Sequence, residues 1–450
     1  MAKALSSNAI ELAPKAPFSV AALISTLRGV FDQLPDARAR SNNQRYVVTD
    51  AALSGFSVFF TQSPSFLDYQ IRMQQQQASN NAQTLFGVHQ IPSDNQIRNI
   101  LDPLPPHTLF PLIAHIGDEL YRNDYLESYR SLNNTFLVAI DGTDFFSSHA
   151  ISCKSCSTAI QKNGQTLYRH IALTPVIVAP GHEQVIALPP EFVHPQDGHD
   201  KQDCELAAGG RWLTQWAARY APWGITLLGD DLYCHQPFCQ RVIEAKMSFA
   251  FTCKPDSHPV LYEWVADFTR TGQIGTLVIT RRHGKKRLID TYRYLNDVPL
   301  RDRDDALLVN WCELITTRED ATVSYRNAWA SSHRIDAHNV QRFVKAARAR
   351  WKIENEGNNT LKTKGYHFEH NFGHGKKHLA NLLATMILLA YLMHTAFDWI
   401  DERYRAVRRA LPSRTTFFEH IRALLQYLPF NDWDHLLGFM LSKLTPYDTS

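Results

Sequence analysis

Two aspartates stand directly behind apolar runs. Asp141 follows Phe136-Leu137-Val138-Ala139-Ile140, and Asp230 follows Ile225-Thr226-Leu227-Leu228-Gly229. Continuous apolar runs of this length suit strands buried on both faces. A carboxylate at the end of such a strand loses hydration, which costs free energy unless something compensates. A divalent cation would compensate. Short carboxylates on neighbouring strands hold Mg2+ with few protein atoms and leave positions for water and phosphate. The plainer reading is a turn aspartate where a strand ends, and neither residue alone decides between the two.

A third carboxylate, Glu354, lies in RARWKIENE (348–356). Phe343, Ala347 and Trp351 recur every four residues, and so do Arg350, Glu354 and Asn358. On one helix these stripes are adjacent, which puts Glu354 at the border of the buried face, between Arg350 and Lys362. A carboxylate for metal beside cations for phosphate is the logic of two-metal phosphoryl transfer. A surface helix laced by ion pairs is the alternative, and Trp351 and Ile353 speak against a fully solvated face. Rival carboxylates are Asp144, Asp231 and Glu356, plus the cluster Asp197, Asp200, Asp203 and Glu205. The cluster reads as charge stabilising a helix N-terminus. Asp231 alternates with Asp230 on extended chain, so only one of the pair faces the metals.

Cys153-x-x-Cys156 is a zinc half-site that His149 and His170 together, or a second molecule, would complete; two ordinary reduced thiols are the competing reading. Cys234 and Cys239 read as packing residues. Positive charge gathers in two places. Residues 342–377 hold nine Lys/Arg against three Asp/Glu, and Arg281–Arg287 holds five Lys/Arg and one His. Arg281, Arg282, Lys285 and Lys286 form a basic tip suited to DNA phosphates, with a solvated surface run as the plainer reading; Trp264 and Trp329 are candidates to stack on a displaced base, although buried tryptophans are commoner.

The elements that must position these groups fall into regions. Residues 1–130 predict a helical domain, either a DNA-binding unit or a packing domain, with a capped helix start at Ser93. Residues 131–254 alternate strands and helices, with strands at 136–140, 167–178, 184–193, 225–229 and 249–253. Residues 255–335 predict a β-rich insertion with hairpin arms at 276–280 and 287–294. A long helix over 337–364 carries Glu354, within a second core part spanning 336–400. Residues 401–450 read as a C-terminal helical segment. Gly357 inside the long helix costs about 1 kcal/mol, so a bend is expected just after Glu354. The apolar run Leu379–Phe397 is of membrane-span length, but Asn381, Thr385, His394 and Thr395 interrupt it, and a buried core helix is the better reading. The order of elements is that of an α/β, RNase H-like mixed sheet flanked by helices, with an N-terminal helical domain and an insertion before the last catalytic helix.

Four segments together resemble bacterial insertion-sequence DDE transposases of the ISNCY-type group: DGTDFF (141–146), PQDGHDKQDCE (195–205), GDDLY (229–233) and RARWKIENEGNNTLKTKGYHFEHNFGHG (348–375). The resemblance covers roughly residues 135–398 and its motifs occur in the expected order. It implies that Asp141, Asp230 and Glu354 are the catalytic triad, holding two Mg2+ ions for which Mn2+ can substitute. It implies that Arg350 and Lys362 are the basic positions of the Glu-bearing helix, and it favours Asp230 over Asp231. The implied partners are the terminal inverted repeats of an element and a target DNA, bound by a homodimer; the implied activity is strand cleavage and transfer of 3′-hydroxyl ends. The chain departs from the pattern at Ala347, where a Tyr is common, and at Asn358, where an aromatic is common. The spacing to Lys362 is one residue long, which leaves Lys364 as its substitute. A metal-dependent nuclease without strand transfer, and a non-catalytic DNA-binding regulator, are the alternatives.

The whole composition agrees without deciding. Over 450 residues, 47 Lys+Arg against 44 Asp+Glu leave +3, which excludes a histone-like polycation or an acidic tail protein. Any polyanion-binding charge must therefore be local. Seven scattered cysteines do not read as a disulfide framework, and the first residues contain no continuous apolar stretch, so a cytoplasmic protein is expected, with no membrane.

Overall fold

The computed structural model describes residues 19–38, 44–74, 81–195, 201–284 and 286–444. The helices α1 (Val20–Asp32), α2 (Val48–Phe60), α3 (Phe66–Gln74), α4 (Asn81–Phe86), α5 (Asp94–Leu101) and α6 (Phe110–Arg122) come first. Ser93 caps α5 by accepting a hydrogen bond from the Gln96 N–H, as its position in the sequence suggests. Then follow β1 (Phe136–Ala139), β2 (Gly142–Ser148), β3 (Ser157–Ile160), β4 (Thr166–Leu173), β5 (Val176–Val178), β6 (Ile186–Ala187) and β7 (Glu191–Phe192). Helices α7 (Lys201–Tyr220) and α8 (Gln236–Glu244) alternate with β8 (Ile225–Gly229) and β9 (Ser248–Thr252). Helix α9 (Pro259–Arg270) leads into β10 (Gly275–His283), β11 (Lys286–Pro299), β12 (Leu308–Arg318) and β13 (Val323–Ser331). The chain ends in α10 (Val340–Arg348), α11 (Asn359–Thr363), α12 (Leu379–Ile400), α13 (Glu402–Ala410), α14 (Arg414–Tyr427) and α15 (Trp433–Leu444).

The protein is mixed α/β. Its main sheet has nine strands in the order β10-β11-β12-β13-β9-β8-β1-β5-β6. Strand β1 runs parallel to β8, and β8 parallel to β9; the other neighbours are antiparallel. Every residue of β1 and β8 is buried, which explains their unbroken apolar sequences. The strand expected over 167–178 is two. Strand β4 belongs to a second sheet with β2, β3 and β7, whereas β5 joins the main sheet. The break falls at Thr174-Pro175, where Pro175 supplies no N–H and restricts the residue before it. The Thr174 N–H donates to the Asp141 carbonyl at 3.2 Å, so the corner is pinned where β1 gives way to β2.

The insertion differs from expectation in two ways. It contains α9 as well as strands, and it extends the main sheet edge to edge, because β13 pairs with β9 through Trp329↔Thr252, Ala330↔Phe251 and Ser331↔Ala250. The long helix also differs. It runs as α10, a 3-10 turn at Ala349–Trp351, a π turn at Ile353–Asn358 and then α11. The Asn359 N–H bonds to the Glu354 carbonyl five residues back, so the expected irregularity at Gly357 takes the form of a wide turn.

Helix α12 is long and apolar enough to cross a membrane, alone among the described helices, and its whole apolar window is buried. It is the spine on which α2, α6 and β6 pack. The terminal regions close over it together. Asn81 donates to the Leu425 and Leu428 carbonyls at 3.1 and 2.8 Å, and Arg422 donates to the Thr61 and Gln62 carbonyls. One hydrophobic cluster runs from Val20 to Met440.

Candidate active site

Strands β1 and β8 set the two aspartates. Ala139 lies opposite Leu228, and the Ile140 N–H donates to the Leu228 carbonyl at 2.9 Å. Continuing that register, Asp141 and Asp230 leave their parallel strands side by side. Glycines flank both. A Cβ on Gly142 would meet the Glu205 carboxyl carbon at 2.6 Å, and one on Gly229 would meet the Tyr233 ring at 2.8 Å. Only a residue without a side chain lets these neighbours approach so closely.

Burial is the main reason the Asp141 carboxyl is pushed up to about 7. Arg350 opposes the rise, while Glu205, Glu354 and Asp230 add to it. Burial likewise raises Asp230, against the Leu232 N–H, which donates to its Oδ1 at 3.0 Å, and against Arg350. Glu354 Oε1 sits 2.9 Å from Arg350 Nη2, and its side chain is 51% exposed at the mouth of the site. Two half-buried aspartates, an exposed glutamate and Arg350 thus act on each other electrostatically, and Lys254 also acts on Asp230.

Two of the rivals are engaged elsewhere. Asp231 accepts from the Lys254 N–H and the Ser257 hydroxyl and lies 3.4 Å from His258 Nε2. Asp144 pairs with Arg169 at 3.6 Å. Of Glu356, only the backbone carbonyl is bonded among the described residues, accepting from the Tyr391 hydroxyl, so its carboxylate is not placed elsewhere by a partner. Asp197 and Asp200 lie outside the described residues, as does the Asp203 side chain. Glu205 is the residue the sequence concealed. It is 5% exposed on α7, against Gly142, and its charge reaches Asp141 and Tyr233. The aspartates at 197, 200 and 203 just before it made it look like helix-terminal charge.

The basic candidates divide. Lys362 pairs with Glu369 at 2.7 Å, and Arg281 is bound by Asp290, which the hairpin register places diagonally across from it. Arg282, Lys286 and Lys364 are exposed, and Lys285 lies outside the described residues. Trp329 is 2% exposed and packs in the core, so it is no stacking platform. Trp264 and Trp351 are each 44% exposed. Trp351 carries the Lys352 ammonium 5.0 Å from its ring centre. Its exposure departs from the four-residue stripe, because the 3-10 and π turns change the helical phase there.

The cysteine half-site finds partners, though not the full set expected. Cys153, Cys156, His170 and His374 converge, with ligand atoms all within 4.8 Å of one another. His149 is not among them; its Nδ1 lies 3.0 Å from the Thr166 carbonyl at the surface. His374 comes from the GHGKK turn far along the chain, which spacing could not reveal. Cys234 is fully buried in the hydrophobic cluster, as a packing residue is, and its thiol also lies within 4.8 Å of the ligand atoms of Cys253 and His258.

No protein-family model matches this chain, and no curated protein matches it. The resemblance to DDE transposases therefore rests on the quoted segments, and the chemistry must be argued from the site.

Proposed function

We propose that the chain is an insertion-sequence DNA transposase that cuts and joins phosphodiesters through Asp141, Asp230 and Glu354. The observation carrying this reading is the level placement of Asp141 and Asp230 on paired parallel strands, with Glu354 and Arg350 close enough to shift Asp141. The core order β6-β5-β1-β8-β9, antiparallel up to β1 and parallel beyond it, is the order an RNase H-like sheet requires, and it supports the same reading.

The donor set suits a hard cation. Glu205, Glu354 and Asp230 each raise Asp141, while Arg350 opposes them and Lys254 joins Arg350 in opposing the rise at Asp230. Asp141, Asp230 and Glu354 would hold Mg2+, or Mn2+ in its place, and the bound metal supplies polarisation of the phosphate and an activated water or 3′-hydroxyl. Arg350 can exchange its bond to Glu354 for a bidentate bond to a substrate phosphate. Lys364, Arg282 and Lys286 are exposed and, on this reading, hold the DNA backbone without sequence preference. Recognition of terminal repeats and a dimer bridging two ends belong to the same proposal.

The test is a strand-joining assay with pre-cut 3′-hydroxyl ends from the DNA flanking the gene, in Mg2+ and in EDTA. Metal-dependent joined product is expected. Asp141→Asn, Asp230→Asn and Glu354→Gln should each lower it by about a thousandfold or more while DNA binding persists. Cleavage without joining would favour a nuclease, and full activity in any of the three variants would falsify the triad.

A further inference from the structure

We propose that Cys153, Cys156, His170 and His374 bind one structural Zn2+ ion, which fastens the turn beyond the Glu354 helix to the sheet that begins at Asp141. The inference does not depend on the transposase reading.

Five of the six distances among the four ligand atoms are short, and the sixth, Cys153 Sγ to His374 Nε2, is within 4.8 Å. Cys153 Sγ and Cys156 Sγ are 3.9 Å apart, and His170 Nε2 is 3.5 and 3.4 Å from them. His374 Nε2 is 3.3 Å from Cys156 Sγ and 3.1 Å from His170 Nε2. Zinc bond lengths of about 2.3 Å to sulfur and about 2.05 Å to nitrogen give tetrahedral edges of roughly 3.8 Å for S–S, 3.5 Å for S–N and 3.3 Å for N–N. The five observed edges follow that order and lie close to those values.

The surroundings suit metal ligands. The Cys156 N–H donates to the Cys153 carbonyl, closing a tight turn. Within it the Ser155 N–H donates to Cys153 Sγ and the Cys153 N–H to Cys156 Sγ, each at 3.4 Å, the donors that steady a thiolate. His374 Nδ1 donates to the Gly375 carbonyl at 3.0 Å, which leaves the Nε2 lone pair aimed at the cluster. Phe146 packs on both imidazoles, with ring centres 4.5 Å from His374 and 5.7 Å from His170, and shields the site from water.

The placement gives the ion a task. His170 lies opposite Phe146 on β4, in the sheet whose strand β2 starts beside Asp141. His374 lies 218 residues beyond Cys156, on a turn with Gly375 at φ +68°. Asp102 accepts the backbone N–H groups of Lys376, Lys377 and Leu379 and holds the other side of that turn. A metal there closes a very long loop and ties together the two parts of the chain that carry Asp141 and Glu354.

The experiment measures metal in the full chain purified without chelator. About one Zn2+ per chain is expected. After exchange, Co2+ should show tetrahedral visible bands and thiolate charge transfer. In Cys153→Ser the charge transfer should fall by about half, and in His374→Ala affinity should fall at least tenfold, while Cys253→Ser keeps the ion. If the variants fail to fold, mercurial titration of the unmodified chain should release Zn2+ in step with thiol capture. Absence of zinc, or zinc lost in Cys253→Ser but retained in Cys153→Ser, overturns the assignment. Loss of joining activity with zinc retained touches only the transposase reading.

Discussion

At the scale of the residue, Asp141 has the most consequences. Its carboxyl titrates near 7 in the folded protein, chiefly through burial, against an ordinary value of 3.8. A raised carboxyl pKa means that the folded state holds a proton the unfolded chain has released. Without divalent metal, that contribution is intact below about pH 4 and is lost as pH rises through about 7. In EDTA, Asp141→Asn should therefore flatten this part of the pH–stability curve and raise stability at pH 8 by on the order of 4 kcal/mol, as read by denaturant unfolding. Millimolar Mg2+ should stabilise the unmodified protein at pH 8 and leave Asp141→Asn nearly unchanged. An Asp141→Asn protein less stable than the parent at pH 8 in EDTA would show that the buried charge is already compensated.

At the scale of the element, the junctions after β1 and β8 and the turn around Glu354 decide the site. Gly229 lets the Tyr233 ring fold back over the strand end, so Gly229→Ala must displace that ring or Phe251. A loss of about 1–3 kcal/mol is expected in equilibrium unfolding, with reduced activity, because Asp230 is the next residue. Gly357 is the contrasting case. A Cβ there meets nothing nearer than 3.9 Å, and the backbone is helical. Gly357→Ala should raise stability by up to about 1 kcal/mol through the unfolded state, measured as a higher unfolding midpoint. A loss instead would mean that the π turn itself requires glycine.

At the scale of the molecule, the described N-terminal and C-terminal helices form one body around α12. Asn81 is fully buried and binds the Leu425 and Leu428 carbonyls, while its own oxygen accepts from the Phe430 N–H at 2.8 Å. Asn81→Ala strands all three backbone groups and should cost about 2–4 kcal/mol. The loss should appear in the same calorimetric transition as that of the sheet, because the hydrophobic cluster is continuous. A separate early transition confined to the N-terminal helices would show that they fold as their own unit.

The sequence by itself determined what local chemistry can determine. Apolar runs marked β1 and β8 as buried strands, and the residues closing them were identifiable as Asp141 and Asp230 because strand ends are local events. The apolar stretch of α12 likewise announced its burial. Only the tertiary structure decided which groups meet. Nothing near Glu205 in sequence distinguishes it from its acidic neighbours, yet α7 brings it against Gly142. Nothing near Cys156 points to His374, and the exposure of Trp351 follows from a change of helical phase that a four-residue repeat cannot contain. Local propensity acts over a few residues, whereas ligand sets and buried charge clusters are made by packing between segments hundreds of residues apart.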